Sequence, residues 1–301
     1  MKIGSLIKHP KRVILKLLYW IAGCFTDNQY VRLYYRLHMG RRLNLESPTT
    51  FNEKLNWLKL NDHNPLYTQL VDKFSVKEYV ASKVGNRYVI PTIGVWDTPE
   101  EIDWECLPTR FVLKTTHGGG NSGVIICKDK NSIDKQVIIK KLHQSLTQDL
   151  YKHSREWPYK NVSKKILAEP YLEDTETKEL RDYKFFCFDG EVKFLFVASE
   201  RQSRPEPYFD FYDANFNILA VKQGHPNSMI SSRKPKCFEE MKVIASQLSI
   251  GIPHVRIDLY EVDGKVMFGE MTFYNMGGVV PFEPNQWDYI FGDYIKLPVQ
   301  N

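Results

Sequence analysis

Hydrophobic and polar positions alternate on both sides of Asp263-Gly264 near the end of the chain, which is the pattern of a β-hairpin. Side chains of a strand point to opposite faces with a period of two, so the turn length decides which residues share a face. A two-residue turn would place Asp258 and Glu270 on opposite faces. A three-residue turn with a left-handed Gly264 gives one wholly apolar face, and we therefore predict that turn. The polar face would carry Arg256, Asp258, Glu270 and Thr272, and the apolar face Val255, Ile257, Leu259, Met267, Met271 and Phe273.

The rest of the pattern predicts helices early in the chain and mainly antiparallel hairpins after them. A basic helical stretch at 28–45 precedes a capping box from Thr50 to Glu53, which opens a helix over 51–60. Helices are also predicted at 66–83, 133–150 and 237–249. Strands are predicted at 87–91, 110–114, 124–127 and 166–172, with hairpins at 183–197 and 208–221. This order indicates an α+β fold in two lobes.

Residues 1–25 are apolar and basic, yet they do not predict a membrane span. Lys16 interrupts an apolar stretch that is shorter than the roughly 20 residues that a spanning helix needs, and no clear signal-peptide cleavage site follows. Helical spacing gives one stripe of Val13, Ile14, Leu17, Leu18, Ile21 and Phe25, and a second column of Arg12, Lys16 and Trp20. The apolar stripe either lies on an anionic membrane surface or packs against the protein itself.

Composition is that of a globular enzyme, with 43% hydrophobic and 26% charged residues among 301. The net charge is +5, and residues 1–42 alone hold nine Lys/Arg and one acidic residue, Asp27. No nucleic-acid-binding module accompanies this basic segment. The cysteines are scattered without metal-ligand spacing, which predicts reduced thiols in a cytoplasmic protein and argues against zinc. They are Cys24, Cys106, Cys127, Cys187 and Cys237.

Two segments carry candidate chemistry. A glycine-rich turn, THGGGNSG, joins the strands at 110–114 and 124–127, and its backbone N–H groups could cradle phosphate beside Lys114. It differs from the Walker and Rossmann patterns, in which the loop opens a helix, and a flexible hairpin is the other interpretation. The paired carboxylates of the terminal hairpin suit Mg²⁺, and an ordinary ion pair on a solvated face is their other interpretation.

Seven motifs in order resemble the TupA-like ATP-grasp family, which occurs with bacterial cell-surface polysaccharide and teichuronopeptide biosynthesis. They are FNEKLNWLKL, DKFSVKEYV, LPTRFVLKTTHGGG, REWPYKN, ILAEPYL, DYKFFCFDG and VRIDLY followed by GEMTF, within about residues 43–297. The resemblance implies an ATP-grasp fold that binds nucleotide between two antiparallel sheets. It divides the chain into a basic helical region (1–65), an N-lobe with the glycine-rich loop (66–168) and a C-lobe with the metal-binding hairpin (169–301).

The resemblance also implies a nucleotide site. Lys114 would contact ATP near the α-phosphate, Lys184 would reach phosphate, and Lys73 is a further phosphate-binding candidate. The glycine-rich loop would close over the β- and γ-phosphates through His117, Gly118, Gly119, Gly120 and Asn121. Adenine would meet the hinge at Glu169, Tyr171 and Leu172.

Metal and catalytic residues follow from the same resemblance. Asp258 and Glu270 would bind Mg²⁺, and Arg256 would stabilise an acyl-phosphate intermediate, with Lys184 as its catalytic partner. ATP-grasp enzymes usually have Asn two residues after this Glu, whereas this chain has Thr272. Thr is a weaker oxygen ligand than the Asn carbonyl, so Asn275 could take its place.

The implied function is an ATP-dependent carboxylate–amine ligase of surface polysaccharide (capsule or lipopolysaccharide) biosynthesis, attaching an amino acid to a uronic acid. The protein would be cytoplasmic, in peripheral contact with anionic membrane or a lipid-linked glycan. A glycosyltransferase is the alternative, although the chain has no Asp-x-Asp tripeptide. A non-catalytic assembly protein is a third class. Arg201 and Arg204, in a loop after a predicted strand, are candidates for binding an acidic substrate.

Overall fold

The computed structural model describes residues 10–118, 123–175, 178, 180–201 and 203–299. Its helices are α1 (Pro10–Trp20), α2 (Asp27–Met39), α3 (Phe51–Asn61), α4 (Leu66–Val71), α5 (Val76–Val84), α6 (Lys135–Leu146), α7 (Leu150–Ser154), α8 (Phe238–Ser249) and α9 (Gln286–Asp293). Its strands are β1 (Gly94–Trp96), β2 (Phe111–Thr115), β3 (Val124–Cys127), β4 (Ile166–Pro170), β5 (Asp182–Phe188), β6 (Glu191–Ser199), β7 (Tyr208–Asp213), β8 (Ile218–Leu219), β9 (Lys222–Gln223), β10 (Val255–Val262), β11 (Lys265–Thr272) and β12 (Phe282–Glu283). Helices followed by hairpins confirm the predicted α+β class.

The strands form two main antiparallel sheets. The smaller sheet has the order β1-β4-β2-β3 and the larger one β11-β10-β5-β6-β7-β8, while β12 pairs with β9. The predicted strand at 87–91 is wrong, because Asn86–Tyr88 is a 3₁₀ turn and the strand lies at Gly94–Trp96. Pro91 has no N–H to give to a ladder, and the carbonyl of Ile90 accepts a hydrogen bond from Lys77 at 2.8 Å instead.

Two separate cores support the two sheets. Helix α6 packs on the smaller sheet, where Phe111 and Leu142 are fully buried. Helix α8 covers one face of the larger sheet, and α9 covers the other. The rings of Phe194 and Phe291 stack there with their centroids 3.7 Å apart. Helices α4 and α5 bury Leu70 and Val80 in the larger core, although the predicted division assigns them to the N-lobe. The division itself stays a prediction.

The predicted helix over 66–83 is interrupted, and the interruption shapes the site. Helix α4 ends at Val71 and α5 begins at Val76. The Asp72 carboxylate accepts hydrogen bonds from the backbone N–H groups of Phe74 at 2.9 Å and Ser75 at 2.6 Å. Such a side chain competes with the helical hydrogen bonds and ends the helix. Lys73 therefore leaves the helical path.

The N-terminal helices form a third cluster, which includes Leu18, Ala22, Tyr30 and Tyr35. Thr26 and Gln29 form a capping box at the start of α2, and Thr50 and Glu53 form the predicted one at the start of α3. Among the described residues, no helix has the length and apolar character needed to cross a membrane.

His254 lies in the larger core, 2% exposed, with its Nδ1 3.2 Å from the carbonyl oxygen of Cys187. Burial lowers its pKa to about 3, so the folded protein keeps it neutral at pH 5, whereas an unfolded His has a pKa of about 6.5. As the pH falls below about 6.5 the unfolded state alone gains this proton, and the free energy of unfolding therefore falls. The loss from this residue is about 2 kcal/mol at pH 5.

We therefore expect His254→Gln to narrow the difference in stability between pH 7 and pH 5 by about 2 kcal/mol, even though the lost packing weakens the fold at pH 7. Urea unfolding at the two pH values measures this difference. His143→Gln is the matched control, because the His143 side chain is 52% exposed. An unchanged pH dependence in His254→Gln would show that the buried ring does not cause the acid sensitivity.

Candidate active site

A polar face of the β10–β11 hairpin forms the centre of the site. The strand pairing that creates this face differs from the predicted pairing. Val262 pairs with Lys265, so the turn has two residues, Asp263 and Gly264, both with positive φ. This is the geometry of the two-residue turns that Asp-Gly favours. The predicted three-residue turn is therefore wrong.

A β-bulge restores the shared face. The pairs are Asp258 with Glu270 and Leu259 with Phe268, so Gly269 is the extra residue. A Cβ at Gly269 would lie 3.0 Å from the carbonyl oxygen of Asp258, which explains the glycine. Arg256, Asp258, Glu270 and Thr272 lie on one face, as predicted.

The bulge also exchanges two apolar residues. Met267 pairs with Tyr260, which places it on the same face as Asp258 and not on the predicted apolar face. Phe268 takes the buried position opposite Leu259 and is 3% exposed. The prediction for Met267 was wrong because a strict two-residue alternation does not allow for the extra residue of the bulge, Gly269.

Arg256 holds the polar face together. Its guanidinium contacts both oxygens of Asp258 at 2.7 Å and donates to Asn275 Oδ1 at 2.7 Å and Thr272 Oγ1 at 3.1 Å. It also lies 3.4 Å from Glu270 Oε1. Burial opposes the charge on Arg256, but the carboxylate of Asp258 outweighs it and raises the pKa further. A fork-shaped, permanently charged group is suited to this two-oxygen contact.

Lys184 extends the same charge network. Its ammonium contacts Asp258 Oδ2 and lies 2.6 Å from Asp182 Oδ2. Arg201, the substrate-binding candidate, also contacts Asp182, at 2.7 Å, whereas Arg204 pairs with Glu200 nearer the surface. Sequence reasoning missed Asp182, although it lies two residues before Lys184, the period that places two residues on one strand face.

Lys73 connects this face to the glycine-rich loop. Its Nζ lies 3.0 Å from Glu270 Oε2 and 2.5 Å from the carbonyl oxygen of Gly118. Burial opposes the charge on Glu270, but the ammonium of Lys73 and its cationic neighbours outweigh it and lower its pKa well below the usual range. His117 is buried, which lowers its pKa to about 4 and leaves it neutral at pH 7. The predicted phosphate-binding residues Gly119, Gly120 and Asn121 lie outside the described residues.

A second cluster lies on the smaller sheet. The Glu169 carboxylate is 2.5 Å from Lys114 Nζ and 2.6 Å from Lys77 Nζ. Burial opposes the charge on Glu169, and the two ammonium groups outweigh it and lower its pKa. Lys77 was missed, and its spacing of four residues from Lys73 in DKFSVK was the available signal. Tyr171 and Leu172 follow β4 half-buried, with the guanidinium of Arg110 4.3 Å from the Tyr171 ring centroid.

A cleft of about 1130 Å³ opens beside this second cluster, and its lining includes Lys77, Ile90 and Met267. Neither Asp258 nor Glu270 lines it. We place the candidate site at the two charge clusters and not at this cleft alone, because phosphate and metal ions are recognised by charge.

The loop after β11 is held from behind by one side of α3. Asn52, Asn56 and Lys59 recur at helical spacing and donate to the carbonyl oxygens of Val280, Gly278 and Gly277 at 3.2, 2.8 and 2.8 Å. Burial lowers the pKa of Lys59 to about 8. A Cβ at Gly278, which has a positive φ, would lie 2.8 Å from Asn56 Nδ2. This loop carries Asn275, so α3 positions an Arg256 partner.

Asp258 and Glu270 are the two carboxylates that would hold Mg²⁺, and binding there requires Asp258 to exchange a contact with Arg256 or Lys184 for the metal. Asp258 and Glu270 are direct cross-strand partners on one face, and Mg²⁺ commonly takes one or two carboxylates together with phosphate oxygens and water. Thr272 and Asn275 both accept hydrogen bonds from Arg256, and Asn275 donates to Gln223 at 2.8 Å. In the described part of the chain, no group of three or more His, Cys, Asp or Glu side chains is arranged to hold a metal ion.

Comparison with known proteins assigns the family. The chain belongs to the TupA-like ATPgrasp family, which it matches over residues 53–296. This match confirms the resemblance drawn from the seven motifs and makes the chain an ATP-grasp enzyme. No protein with a curated description matches it.

Solved structures also show similarity at low identity. The D-cycloserine synthetase DcsG is 16% identical, with a TM-score of 0.43, over 76% of this chain and 71% of the synthetase. A D-alanine–D-alanine ligase from Bacillus anthracis is 15% identical, with a TM-score of 0.38, over 75% of this chain and 60% of the ligase.

Proposed function

We propose that the protein is an ATP-dependent carboxylate–amine ligase of bacterial surface polysaccharide biosynthesis. The observation that carries the proposal is the position of Lys73, whose ammonium contacts both Gly118 of the glycine-rich loop and Glu270 of the polar face. A triphosphate at that loop would meet the carboxylates across a short distance. Family membership supports the same class of reaction.

The proposed site uses the two charge clusters together. Lys114 on the smaller sheet and Lys77 on α5 supply positive charge on either side of Glu169, and Lys184 supplies it on the larger sheet. Positive groups positioned in advance are the main requirement of phosphoryl transfer, because the reaction needs charge neutralisation and alignment. Asp258 and Glu270 would hold Mg²⁺, which neutralises phosphate charge when bound.

The proposed reaction has two balanced steps. A carboxylate oxygen of the acid substrate attacks the γ-phosphorus of ATP, the bond to the β-phosphate oxygen breaks, and ADP leaves. An amine then attacks the acyl carbon, the carbon–oxygen bond breaks, inorganic phosphate leaves, and the amine loses a proton. Arg256 would stabilise the negative charge of the acyl phosphate. Amide formation from free acid and amine is unfavourable in water, so phosphoryl transfer from ATP to the carboxylate drives it.

The proposed role in polysaccharide biosynthesis indicates which substrates to test. The TupA-like resemblance points to a uronic acid as the carboxylate and an amino acid as the amine. Arg201 pairs with Asp182 at 2.7 Å, and we propose that it also contacts the acid substrate, because a guanidinium has five N–H donors and can serve more than one carboxylate. The same proposal includes a lipid-linked glycan as the acceptor and a cytoplasmic location for the protein.

The test is ADP release with Mg²⁺, measured for uronic acids paired with amino acids. We expect release to need both substrates and the product mass to equal acid plus amine minus water. Neutral sugars paired with the same amino acids are the matched control, because they lack the carboxylate. Thermal stabilisation by a nucleotide sugar and not by ATP–Mg²⁺ would favour a glycosyltransferase, and failure to bind either would favour a non-catalytic assembly protein.

A further inference from the structure

An apolar patch on α1 is exposed, and the ligase reaction does not use it. Trp20 is 77% exposed and Leu17 58%, with Ile14 and Ile21 each close to half exposed. Of the predicted apolar stripe, Leu18 is buried, while Ile14, Leu17 and Ile21 face outward. Leu18 and Phe25 of that stripe pack on the N-terminal cluster, and the remaining exposed members leave an apolar surface that packing on the protein does not cover.

Side chains next to the patch fix the helix in place. Leu18 lies on the same stripe as Ile14 and Ile21, and it is buried with Ala22 and residues of α2 in the N-terminal cluster. The guanidinium of Arg155 donates to the carbonyl oxygen of Ala22 at 2.5 Å. The exposed side chains therefore belong to a helix that is packed on the protein, and they form a fixed apolar surface. The same cluster contains Val279, seven residues after Thr272, which places the N-terminal helices against the loop that follows the candidate metal site.

We propose that this patch, defined by Ile14, Leu17, Trp20 and Ile21, docks the protein on an anionic membrane surface. Charge supports a membrane as the occupant, since residues 1–42 contain nine basic residues and one acidic residue, and exposed Lys16 lies beside the patch. A Trp with aliphatic neighbours and flanking basic residues is the composition of helices that lie in the headgroup region.

A second copy of the chain fits the patch less well. Four side chains on a helix about 16 Å long cover less than the roughly 800 Å² that each partner buries in a stable interface. Two such segments would also bring strong positive charge together, whereas anionic lipid neutralises that charge. Each basic residue near an anionic surface strengthens binding about fivefold, and salt weakens the effect.

The test is co-sedimentation of the full chain with phosphatidylcholine vesicles, with and without phosphatidylglycerol. We expect binding to the anionic vesicles, a loss of at least about tenfold in high salt, and little binding to phosphatidylcholine alone. Leu17→Gln/Trp20→Gln should reduce the partition coefficient at least about tenfold without changing the melting temperature, because both side chains are exposed. Lys16→Gln should reduce it about fivefold.

Met229→Gln/Ile230→Gln is the matched control, because these side chains are 97% and 82% exposed but lie outside the patch. It should bind vesicles like the unaltered chain. Equal losses in both double variants, or no binding of the unaltered chain at low salt, would overturn the proposal. Sedimentation velocity gives the other decisive outcome, because a dimer that Leu17→Gln/Trp20→Gln dissociates would assign the patch to a second copy.

Discussion

Glu270→Gln should lower the rate of Mg²⁺-dependent ADP release at least about 100-fold, which corresponds to roughly 2.7 kcal/mol in the activation barrier. The amide keeps the size of the side chain but removes the negative charge that faces Lys73 and would bind the metal. The apparent Mg²⁺ requirement should also rise. Steady-state rates over a range of Mg²⁺ concentrations measure both effects.

Two features separate this result from unfolding. The isosteric change should lower the melting temperature, because buried Lys73 loses its carboxylate partner, so circular dichroism is used to verify that the variant is folded at the assay temperature. Glu191→Gln is the matched control, since Glu191 lies on the same sheet and pairs with Lys193 at the surface. It should keep the full rate. A Glu270→Gln protein with the normal rate and normal Mg²⁺ dependence would contradict the assignment of this carboxylate as a ligand.

Arg256→Ala should have the largest effect on stability, about 3 kcal/mol of unfolding free energy. The change leaves the fully buried carboxylate of Asp258 with Lys184 as its remaining cationic contact and leaves Asn275 Oδ1 without its donor. Removing one member of a buried ion pair costs more than the pair contributes, because the remaining charge stays out of water. Urea unfolding followed by tryptophan fluorescence measures the change.

A surface arginine provides the comparison. Arg87 is 77% exposed and lies 3.8 Å from Glu240, so Arg87→Ala should cost at most about 1 kcal/mol. Arg256→Lys should fall between the two, because it keeps the charge but loses the two-pronged contact with Asp258. Similar losses in Arg256→Ala and Arg87→Ala would mean that the buried network contributes no more than a surface pair.

Local pattern predicted several elements closely. The strand at 124–127 and the helix at 237–249 occur almost within their predicted bounds, at Val124–Cys127 and Phe238–Ser249. Each is encoded by adjacent residues, through a β-branched run in the strand and an apolar repeat in the helix. The capping box from Thr50 to Glu53 is also a local device, and it forms as predicted.

The sequence-based predictions failed where the local structure depends on contacts with distant residues or on a side chain that competes for backbone hydrogen bonds. Lys77 was missed because its partner Glu169 lies far along the chain, on a strand of the smaller sheet. The prediction of one helix over 66–83 did not take the Asp72 side chain into account. This carboxylate accepts hydrogen bonds from the backbone N–H groups of Phe74 and Ser75, which replace the helical hydrogen bonds.

The sequence by itself determined the α+β class, the family and the residue types that make up the polar face. Only the tertiary structure decided how those residues meet, because pairing across the hairpin includes a bulge at Gly269 that alternation does not encode. The same holds for α1, since its sequence specifies an amphipathic helix but packing against α2 selects which side is buried. Helical and strand periods are local properties, whereas register and burial depend on the partner that each element meets.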